Sequence, residues 1–218
     1  MKKQFTVNIK KGPLVKNTIL LIITLFLLCN CKRERFSGGE HVMSLKGRKV
    51  AMIIAPGNFR DEEYFVTKEI LEKSGLHVTT VSTKLGSFTG MLGKRATVDI
   101  KIGDINIDNF DGIIFVGGTG ASIFWEDEKA ISICKEAVQK NKVLGAICIA
   151  PVTLANSGVL KGKKATVFYA EKDKLIQKGA NYTGNNVEVD GSIVTSNGPS
   201  AAKEFGSKFV ELLEKKMP

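Results

Sequence analysis

Three almost wholly apolar runs limit what this chain of 218 residues can fold into. They cover residues 49–55, 111–116 and 143–147. Strands with one exposed face alternate polar and apolar residues, whereas strands of a parallel sheet covered by helices on both faces are apolar throughout. The three runs therefore predict central strands of a parallel sheet.

Segments with helical periodicity lie between and after these runs, which predicts an α/β fold. The predicted helices cover residues 61–74, 126–140, 150–158, 171–178 and 201–215. Further strands are predicted at 77–82 and 164–168, with a hairpin over 187–195 that turns at Asp190-Gly191 and short strands or an edge hairpin within 85–107. Together these elements predict one domain, residues 47–218, with a flavodoxin-like three-layer sandwich of a mostly parallel sheet and helices on both faces.

The first 30 residues differ in composition from the rest. Residues 1–16 contain five lysines and no acid, and residues 18–28 are almost wholly apolar. A basic region before a short apolar region predicts a secretory signal, because the apolar region is too short to span a bilayer. Cys31 follows Leu28 by three residues, which resembles a lipoprotein signal with Cys31 as the acylated residue. Cys29 is the poorer candidate; an uncleaved anchor or an ordinary signal peptide is the alternative.

This signal predicts where the mature protein is located. Residues 31–46 would form a tether, and the domain would be lipid-anchored to a membrane in the cell envelope, on a periplasmic or extracellular face; secretion is the alternative. Removal of the signal lowers the formal charge from +10 to +5, and the basic residues 32–35 favour an anionic lipid surface. No basic stripe with interleaved aromatic residues is present, so nucleic-acid binding has no support.

Cys148 lies where a predicted strand gives way to a predicted helix. The stretch Val143-Leu144-Gly145-Ala146-Ile147-Cys148-Ile149-Ala150-Pro151 leaves room for a sharp turn only. Such a turn forms a nucleophile elbow, which presents the side chain above the end of the sheet. The helix N-terminus beyond it favours a thiolate. The alternative is a buried core thiol, and a core position is also predicted for Cys134, which falls on an apolar helix face.

Two loops are expected to meet Cys148 at the carboxyl ends of the parallel strands, where sites form in such sheets. They are residues 57–64, after the first strand, and Gly117-Gly118-Thr119-Gly120, after the apolar run at 111–116. The glycine run lacks the spacing of a dinucleotide fingerprint. Its backbone N–H groups could hold an oxyanion beside Cys148, or the run could be only a tight turn.

Five segments together resemble the DJ-1/PfpI family, within the class I glutamine amidotransferase-like fold. They are Phe59-Arg60-Asp61-Glu62-Glu63, Phe115-Val116-Gly117-Gly118, residues 146–151, residues 158–167 and residues 190–199. The resemblance implies that an acid after the first strand meets the elbow cysteine, here Glu63, or Glu62 if the register differs by one. It also implies oxyanion donors at the backbone N–H groups of Gly118 and Ile149, a homodimer, and neither cofactor nor metal.

The chain departs from the family at the histidine. Protease-like members carry histidine directly after the nucleophile, where this chain has Ile149, and DJ-1-like members carry one where this chain has Phe168. The two histidines of the chain are His41, in the tether, and His77, at the start of a strand. Peptidase or amidotransferase chemistry is therefore disfavoured, because both need a base beside the thiol.

The resemblance implies a cofactor-independent glyoxalase or deglycase that acts on small reactive carbonyls such as methylglyoxal. Cys148 would add to the aldehyde and Glu63 would move a proton between carbons. The alternative is a non-catalytic redox-sensing or protective protein of the stress response, in which Cys148 is oxidised. Five aromatic residues could wall the substrate pocket or belong to the core: Phe59, Phe124, Trp125, Phe168 and Tyr169.

Overall fold

A seven-stranded sheet forms the centre of the computed structural model, which describes residues 45–216. The strands are β1 Lys49–Ile53, β2 His77–Ser82, β3 Gly86–Thr89, β4 Arg95–Val98, β5 Ile100–Lys101, β6 Gly112–Phe115, β7 Val143–Ile147, β8 Lys164–Ala165, β9 Asn181–Tyr182, β10 Val187–Asp190 and β11 Ile193–Ser196. The α-helices are α1 Asp61–Lys73, α2 Glu128–Gln139, α3 Pro151–Asn156, α4 Lys172–Gln177 and α5 Ala202–Glu214.

The sheet order is β10-β11-β7-β6-β1-β2-β5. All neighbouring pairs are parallel except β10 and β11, which form the antiparallel hairpin predicted around Asp190-Gly191. The three apolar runs form the adjacent strands β1, β6 and β7, whose residues are buried apart from Lys49. The predicted central parallel strands are therefore confirmed.

Helices cover both faces of this sheet. Along β1, Val50 and Met52 belong to one apolar cluster, which includes residues of α1 and α5. Ala51 and Ile53 belong to a second cluster, which includes residues of α2, α3 and α4. Successive residues of a strand point to opposite faces, so each cluster occupies one side of the sheet. This confirms the predicted three-layer sandwich.

Two predicted segments differ from the observed elements. The strand predicted at 164–168 is limited to β8, because Thr166 donates its backbone N–H to the Thr195 hydroxyl and Phe168 donates its own to the carbonyl of Cys148. Residues 85–107 form the separate hairpin β3–β4 and the short edge strand β5. In both places, contacts with distant residues decide where the strand ends.

The predicted signal, Cys29, Cys31 and all but the end of the predicted tether lie outside the described residues. Between residues 45 and 216, no helix is both long enough and apolar enough to cross a membrane.

Candidate active site

Cys148 lies on the turn between β7 and α3. Its φ of +64° is in the left-handed region, which few residues other than glycine adopt. The N–H of Cys148 donates to the Ser196 carbonyl at 2.9 Å, and its carbonyl accepts from the N–H of Phe168 at 2.8 Å. Two backbone hydrogen bonds to other segments thus hold a strained turn. The side chain is partly exposed, as in the predicted elbow.

Glu63 lies in the first turn of α1 and is completely buried. Its Oε2 accepts the backbone N–H of Gly117 at 3.0 Å, while Oε1 has no hydrogen-bond partner among the described residues. Glu62 instead accepts two hydrogen bonds from the Arg60 guanidinium, at 2.8 and 3.0 Å. The structure therefore brings Glu63, and not Glu62, to the cysteine.

Gly117 separates Cys148 from Glu63. A Cβ atom at Gly117 would lie 2.5 Å from the Cβ of Cys148 and 2.5 Å from Oε2 of Glu63. Both distances are far below van der Waals contact, so only glycine fits between the two side chains. The same residue donates its N–H to Glu63. Gly117 thus orients the carboxyl group and keeps it close to the thiol.

Burial raises the pKa of Glu63 to about 8, because a carboxylate without water is poorly solvated. A hydrogen bond with Cys148, the N–H of Gly117 and the positive charge of Arg60 act in the opposite direction but do not outweigh burial. At neutral pH the carboxyl group is therefore mostly protonated. In that form it can donate a hydrogen bond to the sulfur of Cys148.

Burial, followed by the charge of ionised Glu63, raises the pKa of the Cys148 thiol to about 12. The backbone N–H groups of Gly118 and Ile149 donate to the sulfur and lower this pKa, as donors to an anion do. The backbone N–H groups of this turn and the helix N-terminus were expected to favour the thiolate; the N–H groups do lower the pKa of the thiol, but burial outweighs them. The helix α3 has only six residues, and its effect does not overcome burial.

The positions expected for a histidine hold other residues. The backbone N–H of Phe168 donates a hydrogen bond to the Cys148 carbonyl, and Phe168 is 45% exposed. Among residues 45–216 the histidine is His77, which begins β2 at the amino end of the sheet, whereas Cys148 follows the carboxyl end of β7. No imidazole among these residues can therefore serve as the base for Cys148.

The five aromatic residues considered for the pocket divide into two groups. Phe59 and Phe124 are buried in the two core clusters. Trp125 donates its indole N–H to the Ile149 carbonyl at 3.2 Å, and Phe168 and Tyr169 are exposed. Trp125 and Phe168 thus contact the backbone of the cysteine turn, whereas Phe59 and Phe124 support the fold. Cys134 is buried in the core, as predicted.

Arg60 is a member of this site that the sequence analysis did not single out. Its charge acts on both Glu63 and Cys148, although its guanidinium is bound to Glu62. The signal in the sequence was a single basic residue among the acids of the first turn of α1. A positive charge here stabilises the singly ionised form of the Cys148–Glu63 pair. It could also attract an anionic group of a substrate.

The arrangement can carry out nucleophilic and acid–base chemistry with two side chains. Cys148 supplies a sulfur nucleophile, and Glu63 can give or take one proton beside it. The N–H groups of Gly118 and Ile149 can stabilise a negative charge at the sulfur.

Comparison with known proteins identifies a family and relatives. A model of the "DJ-1/PfpI family" matches residues 48–212. The Uncharacterized protein MJ0967 of Methanocaldococcus jannaschii is 41% identical over 204 residues, which are 92% of this chain and 98% of that protein. The Glutathione-independent glyoxalase DJR-1.2 of Caenorhabditis elegans is 32% identical over 171 residues, covering 78% and 91%. The Deglycase PfpI of Pyrococcus furiosus is 30% identical over 163 residues, covering 75% and 98%.

A solved structure shows the same fold. The ThiJ/PfpI domain protein of Brachyspira murdochii superposes with a TM-score of 0.77 at 31% identity. The match covers 79% of this chain and 99% of that structure.

Proposed function

The chain belongs to the DJ-1/PfpI family, and from this premise we propose that it is a cofactor-independent glyoxalase or deglycase for small reactive carbonyls. The observation that carries the proposal is the buried carboxyl group of Glu63 beside the Cys148 sulfur, with Gly117 between them. Relatives named as a glyoxalase and as a deglycase support the substrate class.

With methylglyoxal, the sulfur of Cys148 adds to the aldehyde carbon and the carbonyl oxygen takes up the proton, which gives a hemithioacetal. Glu63 then removes the proton from this carbon, and a proton returns to the neighbouring carbon of the enediol. The product is a lactoyl thioester on Cys148. Water cleaves the carbon–sulfur bond, releasing lactate and the thiol, so the overall reaction consumes one methylglyoxal and one water.

The experiment is to measure lactate formation from methylglyoxal by the purified full chain. We expect Cys148→Ser to abolish turnover and Glu63→Gln to lower kcat by about 10²–10⁴, the usual contribution of a general acid–base group. Cys134→Ala is the matched control, because this second described cysteine lies in the core away from the turn. Turnover by Cys148→Ser equal to that of the unaltered chain would show that the assignment is wrong.

A second candidate function is redox sensing or protection. One argument for it is that Ile149 and Phe168 stand where related proteins carry histidine. A second is that the sulfur of Cys148 is partly exposed and is surrounded by two N–H donors and a carboxyl group, which can bind the oxygens of a sulfinate. Mass spectrometry after mild peroxide treatment distinguishes the two functions. Selective oxidation of Cys148 without turnover of any carbonyl compound favours this second function, whereas turnover favours the first.

We also propose that residues 1–30 are a lipoprotein-type signal and that Cys31 is acylated, which anchors the domain in the cell envelope. The match to the Methanocaldococcus jannaschii protein covers 92% of this chain, more than residues 45–216 comprise, so it extends beyond the domain. Metabolic labelling with a fatty-acid analogue tests this. The label should be lost in Cys31→Ala and kept in Cys29→Ala. The reverse pattern would show that Cys29 is the modified residue.

We propose further that the protein is a homodimer. Two consecutive large apolar residues are exposed in the turn of the β3–β4 hairpin, Met91 at 41% and Leu92 at 58%. Such side chains, when close together, favour association. Light scattering coupled to gel filtration would give the mass in solution. A monomeric mass at micromolar concentration would contradict the proposal.

A further inference from the structure

A basic pocket lies at the end of the sheet opposite to Cys148. Its volume is about 200 Å³, and its lining includes Arg48, Asp111, Lys140, Asn141, Lys142 and Lys216. Arg48, Asp111 and Lys142 directly precede β1, β6 and β7, and Lys140 and Lys216 follow the ends of α2 and α5. The pocket is therefore formed by four segments that are distant in the chain, and four of these six residues are cations.

Two of the cations are held by acids. Arg48 contacts Asp111, with 3.3 Å between Nε and Oδ1, and its NH1 group donates to the Leu213 carbonyl at 2.8 Å. Lys140 forms ion pairs with Asp108 at 2.7 Å and with Glu136 at 2.8 Å. These contacts leave little freedom for either side chain.

The other two cations, Lys142 and Lys216, have no carboxylate within ion-pair distance among the described residues. Lys216 donates to the side-chain oxygen of Asn141 at 2.8 Å and also to its carbonyl. Burial, and then the charge of Lys142, lowers the pKa of Lys216. The fold thus holds two like charges close together, neither of them paired with a carboxylate of residues 45–216, which costs free energy unless an anion binds.

We propose that this pocket binds a small phosphate-type dianion. Pockets for drug-sized ligands span roughly 300–1,000 Å³, so about 200 Å³ suits a phosphate or a small phosphate monoester better than a nucleotide. Lysine ammonium groups bind phosphate as point charges, and the Arg48 guanidinium adds further donors. A bound dianion would neutralise Lys142 and Lys216 together.

The competing explanation is that these cations only stabilise helix ends. Helix C-termini carry partial negative charge, and Lys140 and Lys216 lie just beyond two of them. That role requires no ligand. It predicts a loss of stability when the lysines are removed and no dependence of that loss on phosphate.

The test is calorimetric titration of the full chain with inorganic phosphate and, separately, with glycerol 3-phosphate, at low ionic strength in a buffer without phosphate. We expect saturable binding of one dianion per chain. The double variant Lys142→Ala/Lys216→Ala should bind at least tenfold more weakly. Lys135→Ala is the matched control, since this exposed lysine of α2 lies outside the pocket, and its affinity should be unchanged.

The two ligands distinguish the source of the phosphate group. Binding of inorganic phosphate alone indicates a free ion, whereas binding of both indicates a site that also accepts monoesters such as lipid headgroups. Melting temperature provides a second measurement, because a bound dianion stabilises the folded chain. Absence of saturable binding, or a double variant with lower stability but the same response to phosphate, would overturn the proposal.

Discussion

The carboxyl group of Glu63 controls the protonation of Cys148 because the two groups share one buried environment. Loss of a single proton from the pair is easier than loss of both, since burial raises both pKa values and the charge of one group opposes ionisation of the other. The carboxyl group loses its proton first, because its pKa is about 8 and that of the thiol about 12, although the N–H groups of Gly118 and Ile149 lower the pKa of the thiol. The reactive form is therefore the pair that has lost one proton.

The pH dependence of turnover follows from this. We expect kcat/KM for methylglyoxal to increase with pH, up to tenfold per unit, and to level off above about pH 8, where the pair has lost its first proton. Initial rates of the full chain measured from about pH 5.5 to 9.5 would show this increase and the plateau above it. A rate that is constant between pH 6 and 8 would contradict the raised pKa of Glu63.

At the scale of secondary-structure elements, the acids of the α1 N-terminus have separate functions. Asp61 is buried and accepts the backbone N–H groups of Leu92 and Lys94 at 2.7 and 2.8 Å. These residues lie in the turn of the β3–β4 hairpin. In the same turn, the backbone N–H of Met91 donates to the Phe59 carbonyl. Asp61 therefore attaches the hairpin to the loop that leads to Glu63.

Asp61→Ala should release the hairpin turn while the central sheet remains folded. Hydrogen exchange at Leu92 and Lys94 should become faster, because both N–H groups lose their acceptor. Amides of β6 and β7 serve as the internal control and should keep their protection. The change should destabilise the chain by about 1–3 kcal/mol, since two part-buried hydrogen bonds to a carboxylate are lost. Unchanged exchange at both positions would refute the role of Asp61.

At the scale of the whole molecule, the site reduces stability at alkaline pH. Glu63 has a pKa of about 8 in the folded chain and an ordinary value of 4.5 when unfolded. Between these values the folded state holds a proton that the unfolded state has lost, so the contribution of Glu63 to stability is fully present below pH 4.5 and is lost as pH rises through 8. The slope for this one group is at most about 1.4 kcal/mol per pH unit.

Glu63→Gln removes this contribution and keeps an oxygen that can accept the Gly117 N–H. We expect the free energy of unfolding of the unaltered chain to fall between pH 5 and pH 8 relative to that of the variant. Urea unfolding of both full-length proteins at the two pH values gives the comparison. Parallel pH dependence of the two proteins would mean that Glu63 is ionised in the folded state.

The sequence alone determined the strands, the layers and the turn at Cys148. Strands buried on both faces must be apolar throughout, and a strand that ends directly before a helix must turn within a few residues, so both features are local. The end of the strand after residue 164 could not be predicted, because Thr195 and Cys148 supply the acceptors that divert it.

Only the tertiary structure decided which acid meets the cysteine and in which direction the pKa of the thiol moves. Glu62 and Glu63 are adjacent in one helical turn, and Arg60 and Gly117 bind different members of the pair. The helix dipole can be read from local sequence, but burial of Cys148 depends on α1, the Gly117–Gly118 loop and the elbow together. Desolvation arises from residues distant in the chain, and here it is the larger effect.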